Sequence, residues 1–293
     1  MSNYTKGVLS ILMSAFGFAL MNLFIPLSGA LPTIQKSFFR NLVALFIALI
    51  VLWRTNRKKP VREFQEGESI AWKWLFVRSI FGTIGIWCNF YAIDHLFISD
   101  ASVLNKISPF ATLVFSYLFL KEPMKRGHLV ALFFAFVGVL LVVKPTLANT
   151  DFFPYFMGII GGISSGAAYT TIRKLNKENV TPAVTIAFFS LFSCVASLPQ
   201  LILSFEPMSL RSMMMLALVG GMAAIGQFGI TMAYKFAPAS QISVFDYTMI
   251  IFTGMLGFIF LHQVPDYYSI IGYAIIIFAG WLSFKVNQQK LPS

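Results

Sequence analysis

Four charged side chains interrupt otherwise apolar stretches of this 293-residue sequence: Arg40, Arg78, Lys106 and Asp246. Ionisable groups inside hydrocarbon are costly and default to facing a cavity, a partner or a substrate rather than lipid. Asp246 is the only carboxylate well inside an apolar run. Lys106 needs a carboxylate or a substrate anion, which leaves two readings of these residues: an ion pair that is structural or gates a path, or the two ends of a site for a zwitterion. Arg40 either attracts an anionic group or reaches up to lipid headgroups. Arg78, about two helical turns from the start of its run, either faces a cavity or snorkels to the surface.

The neighbours of these charges have helical spacing. Arg78, Gly82, Gly85 and Asn89 fall at i, i+4, i+7 and i+11 on one face. There the glycines either leave room for a substrate or let helices pack closely. Ser102, Asn105, Lys106 and Pro109 form a second stripe, and Ser243, Asp246 and Tyr247 are its analogue later in the chain. Trp87, Tyr91 and Tyr169 are candidates for stacking an organic solute or holding a cation over a ring. Aromatic residues make up 16% of the chain, so most of them are packing. Ser165 precedes Tyr169 by one turn, and Gln227 and Thr231 add polar contacts on another helix.

The expected substrate-binding set is therefore Trp87, Asn89, Tyr91, Asn105, Lys106, Tyr169, Gln227 and Asp246, with Arg40 and Arg78 as intramembrane charges suited to gating. His95, His128 and His262 are expected near interfaces with solvated rings. Cys88 and Cys194 lack CxxC or His-rich spacing and read as buried thiols. The sequence has no carboxylate pair, Ser-His-Asp set, metal-ligand cluster or phosphate loop. No catalytic, metal or cofactor site is expected, and without an ATP-binding motif any transport would be secondary.

The elements that must position these residues follow from composition. Hydrophobic residues make up 57% of the chain and charged residues 11%, against roughly a quarter charged in soluble domains, which excludes an ordinary water-soluble globule. Apolar runs lie at about 7–28, 33–53, 71–93, 99–120, 127–145, 154–172, 181–204, 211–233, 239–261 and 267–286, each near the roughly 20 residues that span a bilayer as a helix. Strands of a membrane barrel would be about half as long and alternating. Loops are short, and the longest, 54–70, is basic. The formal charge of +11 is distributed unevenly. Lys6, Arg54, Arg57, Lys58, Lys59, Arg62, Lys73, Lys121, Lys125, Arg126, Arg173, Lys174, Lys177, Lys235, Lys285 and Lys290 fall on one side of the alternating topology, and only Lys36, Lys144 and Arg211 on the other. Basic loops stay cytoplasmic, so ten spans with both termini inside are expected, and the surplus charge speaks for the membrane surface rather than nucleic acid.

Gly85–Pro123 aligns on Gly226–Pro265 at a near-constant offset of 141, pairing Asn105 with Asp246 and Lys106 with Tyr247. Gly7 and Ser14 align on Gly158 and Ser165 at an offset of 151, and Phe38-Phe39 on Phe188-Phe189 at 150. The chain thus reads as an all-α integral membrane protein of two five-helix repeats, 1–146 and 153–288. An odd number of spans per repeat inverts one against the other, the plan of many secondary transporters. Inversion places Lys106 and Asp246 on opposite sides of the midplane.

These features, with the strings Phe38-Phe39-Arg40-Asn41, Ser99-Asp100-Ala101-Ser102-Val103-Leu104-Asn105 and Pro109 through Leu120-Lys121-Glu122, resemble the EamA-type branch of the drug/metabolite transporter superfamily. The resemblance covers almost the whole chain. It implies ten helices around a cavity lined by the first, third, fourth, sixth, eighth and ninth, and cargoes that range over small organic solutes. The membrane-centre glutamate of some proton-coupled members is missing, which leaves Asp246 as its substitute. Glu122, whose partner in the second half is His262-Gln263, reads as a helix-end or loop contact. The leading expectation is a secondary transporter of the bacterial cytoplasmic membrane. It would move a small polar or zwitterionic metabolite, such as an amino-acid or nucleoside-like solute, by alternating access, with a proton or an exchanged solute as coupling partner. Alternatives are an exporter of lipophilic or cationic drugs and, more remotely, a membrane receptor or intramembrane enzyme.

Overall fold

The computed structural model describes residues 1–56, 68–96, 98–144, 151–261 and 264–288. His262, Gln263, Pro145, Lys290 and the basic residues of 57–67 lie outside them, as do the side chains of Asp94, Ser99, Asp100 and Ser102. The chain runs through α1 (Asn3–Leu27), α2 (Thr33–Asn56), α3 (Glu68–His95), α4 (Ile98–Asn105), α5 (Ser108–Leu120), α6 (Arg126–Val143), α7 (Phe153–Lys177), α8 (Pro182–Leu203), α9 (Leu210–Phe236), α10 (Ala239–Ile242), a 3₁₀ turn (Ser243–Tyr247), α11 (Thr248–Leu261) and α12 (Tyr267–Gln288). Hydroxyl and carboxylate caps start several of them. Ser2 accepts from the Thr5 N–H at 3.1 Å, Ser209 from Ser212 at 3.1 Å and Asp266 from Ser269 at 3.0 Å.

Among the described residues, nine stretches are long and apolar enough to cross a membrane. The remaining long helix, α7, has 25 residues, but Gly158, Gly161, Gly162, Ser164, Ser165 and Gly166 dilute its apolar character. It packs against α3, α4, α5 and α9. The structure differs from a simple set of spans at two places. The expected span 99–120 is broken into α4 and α5 by a turn at Lys106–Ile107, and the span 239–261 begins as α10 and a 3₁₀ turn before α11. Pro109 explains the first break, because a ring nitrogen two residues into α5 cannot donate to Asn105. The backbone tightens there instead, with Lys106 N–H donating to Val103 O at 3.0 Å and Ile107 N–H to Leu104 O at 3.1 Å.

Helices pair between the two halves: α1 with α9, α3 with α7, α2 with α8, and α6 with α12. Small residues allow these approaches, as membrane packing requires. A Cβ on Gly138 would meet Gly272 O at 2.8 Å, and one on Gly229 would meet the Ser14 N at 2.7 Å. The pairing is unchanged when the halves are exchanged. Ser14 of α1 donates to Gly226 O of α9 at 2.8 Å, and their sequence-aligned counterparts Ser165 and Gly85 meet where α7 crosses α3.

Ionic ties join the halves at both ends. At the end bearing the termini and most of the basic residues, Glu122 accepts from Arg173 Nε at 2.7 Å and pairs with Lys177 at 2.9 Å, while Ala239 N–H reaches it at 3.4 Å. Arg173 also donates to Tyr234 O at 2.8 Å, binding the end of α9. Glu122 is 5% exposed, so it acts as the loop contact its sequence suggested. At the other end Lys144 pairs with Asp266, both about half exposed. Donation from Lys144 and then from Ser269 holds the Asp266 carboxyl down to about 2. Burial raises the Glu122 carboxyl, but hydrogen bonds from Arg173 and Lys177 outweigh it and hold the group below its usual range. A depressed carboxyl stabilises fully above its ordinary value of about 4.3 and loses that contribution as pH falls through the lowered one. Glu122→Gln should therefore destabilise the detergent-purified protein by about 1–3 kcal/mol at pH 7, and in pH-resolved melting curves the gap from wild type should close only below about pH 4.

Candidate functional site

The two broken spans meet in the middle of the bundle. Lys106 Nζ lies 3.1 Å from Asp246 Oδ2, with side-chain exposures of 4% and 9%. The same ammonium donates to the Asp246 backbone carbonyl at 3.3 Å and approaches Met249 Sδ at 3.4 Å. In the other direction the Tyr247 hydroxyl donates to the Lys106 carbonyl at 3.1 Å. Each break therefore caps a backbone carbonyl of the other, using the residues that align between the halves. Membrane-buried backbone needs such partners, because no water is present to replace them.

Of the two arrangements the sequence left open for Lys106 and Asp246, the structure shows the ion pair. The breaks turn the two residues toward each other, and the lysine stem spans the distance between them. The charges are in contact, so no solute lies between them as it would between the ends of a zwitterion site. Asn105, one residue away, is half-buried and makes no side-chain hydrogen bond among the described residues.

Among the described residues the two arginines have only neutral partners. Arg40 is 4% exposed, donating to Asn41 Oδ1 at 2.9 Å and contacting Met21 Sδ at 3.3 Å. Asn41 in turn donates to Ser193 Oγ at 2.8 Å, joining α2 to α8. Arg40 thus points into the bundle rather than to headgroups. Arg78 is 3% exposed and also does not snorkel. Its guanidinium folds forward along α3, so that a Cβ on Gly82 would lie 2.0 Å from Nη1. Gly82 makes room for the arginine's own head, whereas Gly85 makes room for α7. The guanidinium lies over the Phe189 ring at 4.1 Å and donates through Nη2 to Gln227 Oε1 at 3.1 Å, while Nε and Nη1 have no partner. The ring of the half-buried Tyr169 lies 6.0 Å from that of Tyr234.

Other expected site residues lie elsewhere. Trp87 and Tyr91 line a mostly apolar cavity of ≈ 330 Å³ with Thr33, Ile34, Ile84, Cys88 and Met157. No lining residue comes from α4, α5 or the 239–261 span, so the structure does not join this cavity to the Lys106–Asp246 pair. Tyr91 also stacks on His95 at 4.0 Å. The half-buried Asn89 makes no side-chain hydrogen bond among the described residues, and its backbone packs on Gly161. His128 corrects the reading of solvated histidines: it is 4% exposed and lies 3.4 Å from Ser283 Oγ.

Sequence reasoning missed Tyr247 and Phe189 as site residues, although the repeat alignment held a signal for each. Tyr247 aligns with Lys106, and Phe189 aligns with Phe39, beside Arg40. The chemistry available here is ionic and hydrogen-bonding, and among the described residues no group of three or more His, Cys, Asp or Glu could hold a metal. Removing one member of a buried ion pair costs about 3–5 kcal/mol, whereas replacing both costs far less. Lys106→Met and Asp246→Asn should each lower stability by that order in chemical or thermal unfolding, and the double variant should be destabilised by less than the sum. An additive double variant would mean that the pair is uncoupled.

Comparison with known proteins agrees with this architecture. The profile of the EamA-like transporter family matches residues 5–144 and 152–284. The chain is 29% identical over 269 residues to the pseudopaline exporter CntI of Pseudomonas aeruginosa (strain UCBPP-PA14), covering 91% of this chain and 92% of that protein. It is 25% identical over 281 residues to human solute carrier family 35 member G1, covering 91% and 75%. A solved crystal structure superposes with a TM-score of 0.81 at 14% identity, over 96% of this chain and 97% of that one. With an all-helical membrane architecture, and family matches over both halves, the chain belongs to the EamA-like transporter family of the drug/metabolite transporter superfamily and is a multi-pass membrane transporter.

Proposed function

We propose that this transporter carries a small polar or zwitterionic organic metabolite, an amino-acid or nucleoside-like solute, by alternating access of two inverted repeats, 1–146 and 153–288. The Lys106–Asp246 contact between the broken spans is the observation that supports it most. Discontinuous helices at the midplane are where secondary transporters bind cargo and coupling ions, and this pair belongs to both halves at once. Rocking one repeat against the other must strain or separate it. The exchange-invariant helix pairing supports the same motion. Basic residues concentrated at one end favour both termini in the cytoplasm and a cell-membrane location.

Export of lipophilic cations is the competing reading. The interior charges oppose it, because Arg40, Arg78 and Lys106 face a single carboxylate, and that carboxylate is engaged. The relative named as a pseudopaline exporter supports outward movement of an organic cargo. Asp246 supplies the titratable group if a proton is the coupling partner, and solute exchange is the alternative.

The test is counterflow into proteoliposomes of the full-length protein, using radiolabelled amino acids, nucleosides and cationic drugs. Uptake of the polar solutes is expected, with Asp246→Asn and Lys106→Met each lowering the rate roughly tenfold or more, the scale of a lost charge-assisted contact. Asp246→Asn should also alter the pH dependence of transport. If only the cationic drugs move, the exporter reading replaces this one; normal rates and pH profiles in both variants would remove the pair from the mechanism.

A further inference from the structure

The interior carries more positive charge than it can neutralise. Within the described spans three cations, Arg40, Arg78 and Lys106, stand against Asp246, and Asp246 is committed to Lys106 at 3.1 Å. Two guanidinium charges are left over, both at least nine-tenths buried. Among the described residues neither Arg40 nor Arg78 forms an ion pair with a carboxylate. Both arginines are tied to neighbouring turns of α8, Arg78 over the Phe189 ring and Arg40 through Asn41, which donates to Ser193.

Arg78 is also under-satisfied. Its Nε and Nη1, which carry three of the five guanidinium N–H bonds, have no partner. The head rests between one neutral amide, Gln227, and the face of Phe189. A ring face attracts a desolvated cation, but it does not replace the hydrogen bonds and countercharge that a buried arginine requires. Such a contact holds the guanidinium without consuming most of its donors. Arg40 likewise has only neutral partners among the described residues, an amide oxygen and a thioether, but without the orphaned donors of Arg78.

We infer that Arg40 and Arg78 form the recognition site for an anionic cargo, a small organic acid with at least two carboxylates, and that Phe189 and Gln227 hold Arg78 in place while the site is empty. This inference rests on the transporter reading and narrows its cargo, because a plain zwitterion would leave the two charges uncompensated. The carboxylates would replace the ring and the amide as partners of Arg78, so binding releases the guanidinium from Phe189.

The experiment measures the melting temperature of the full-length protein in detergent, titrated with succinate, citrate, glutamate, glutamine, inorganic phosphate and choline. Succinate and citrate should raise it, glutamate should act more strongly than its near-isostere glutamine, and choline should have no effect. Arg78→Gln should weaken succinate and citrate roughly tenfold or more, the worth of one charge-assisted hydrogen bond. Phe189→Leu removes the competing ring and should tighten them; it also carries the test if Arg78→Gln does not fold. The inference is overturned if glutamine matches glutamate, if no carboxylate stabilises the protein, if phosphate alone does so, or if both variants bind carboxylates as wild type does. Counterflow separates the two claims. A protein that moves glutamine but neither binds nor moves succinate loses the anion site and keeps the transport function. One that binds succinate but moves no solute loses the transport function and keeps the site.

Discussion

A helix that stops inside a bilayer frees carbonyls and amides that no water can reach, and every other feature of the centre of this protein is arranged around that constraint. Two spans stop there, one at Lys106–Ile107 and one through Ser243–Tyr247. Each break is satisfied partly by tightened bonds within its own half and partly from the other half. Lys106 reaches the Asp246 carbonyl and Tyr247 reaches the Lys106 carbonyl, so each irregular segment depends on the other's side chain. The ion pair is embedded in this exchange, which is why separating the two halves disturbs backbone satisfaction as well as charge.

Much of the architecture was legible in the sequence because its signals are cumulative. Apolar runs of span length draw on many positions, and long apolar helices are found along them. The breaks were harder to read. Pro109 marks the first, yet proline inside a membrane helix is often accommodated without a break. The second has no proline at all, since the position aligned with Pro109 is Ile250. Side-chain direction was the other illegible quantity. The spacing of Arg78, Gly82, Gly85 and Asn89 gave a common face but could not tell whether the arginine leans toward the surface or the interior. Gly82 decides it, because the space left by its missing side chain lies toward the midplane. The two glycines of that stripe turn out to serve different purposes, one sheltering a guanidinium and the other admitting α7.

The aromatic residues show where composition runs out as a guide. Phe189 lies in an ordinary apolar string and has no feature that distinguishes it from its neighbours, yet it faces a buried cation. Trp87 and Tyr91, also candidates for a ligand, line an apolar cavity. What distinguishes them is not ring chemistry but which charged group the fold brings alongside, a long-range property that only the pairing of α3 with α7 and α8 determines.

The two ends of the molecule are closed by ties of different quality. Glu122 is enclosed and shared among Arg173, Lys177 and the start of α10, whereas the Lys144–Asp266 pair at the other end is open to solvent and exposed pairs contribute little. The position aligned with Arg173 at an offset of 151 is Asn22, so the symmetry of the repeats does not extend to this latch. In a carrier that alternates, unequal latches make the two access states unequal in free energy. If this transporter alternates as proposed, its empty form would spend more of its time closed at the basic end, and its apparent affinity would differ between the two faces of the membrane. That asymmetry sets how quickly each half of the cycle proceeds. It cannot by itself drive net flux, because the difference is recovered over every complete cycle, and the direction of accumulation belongs to the gradients alone.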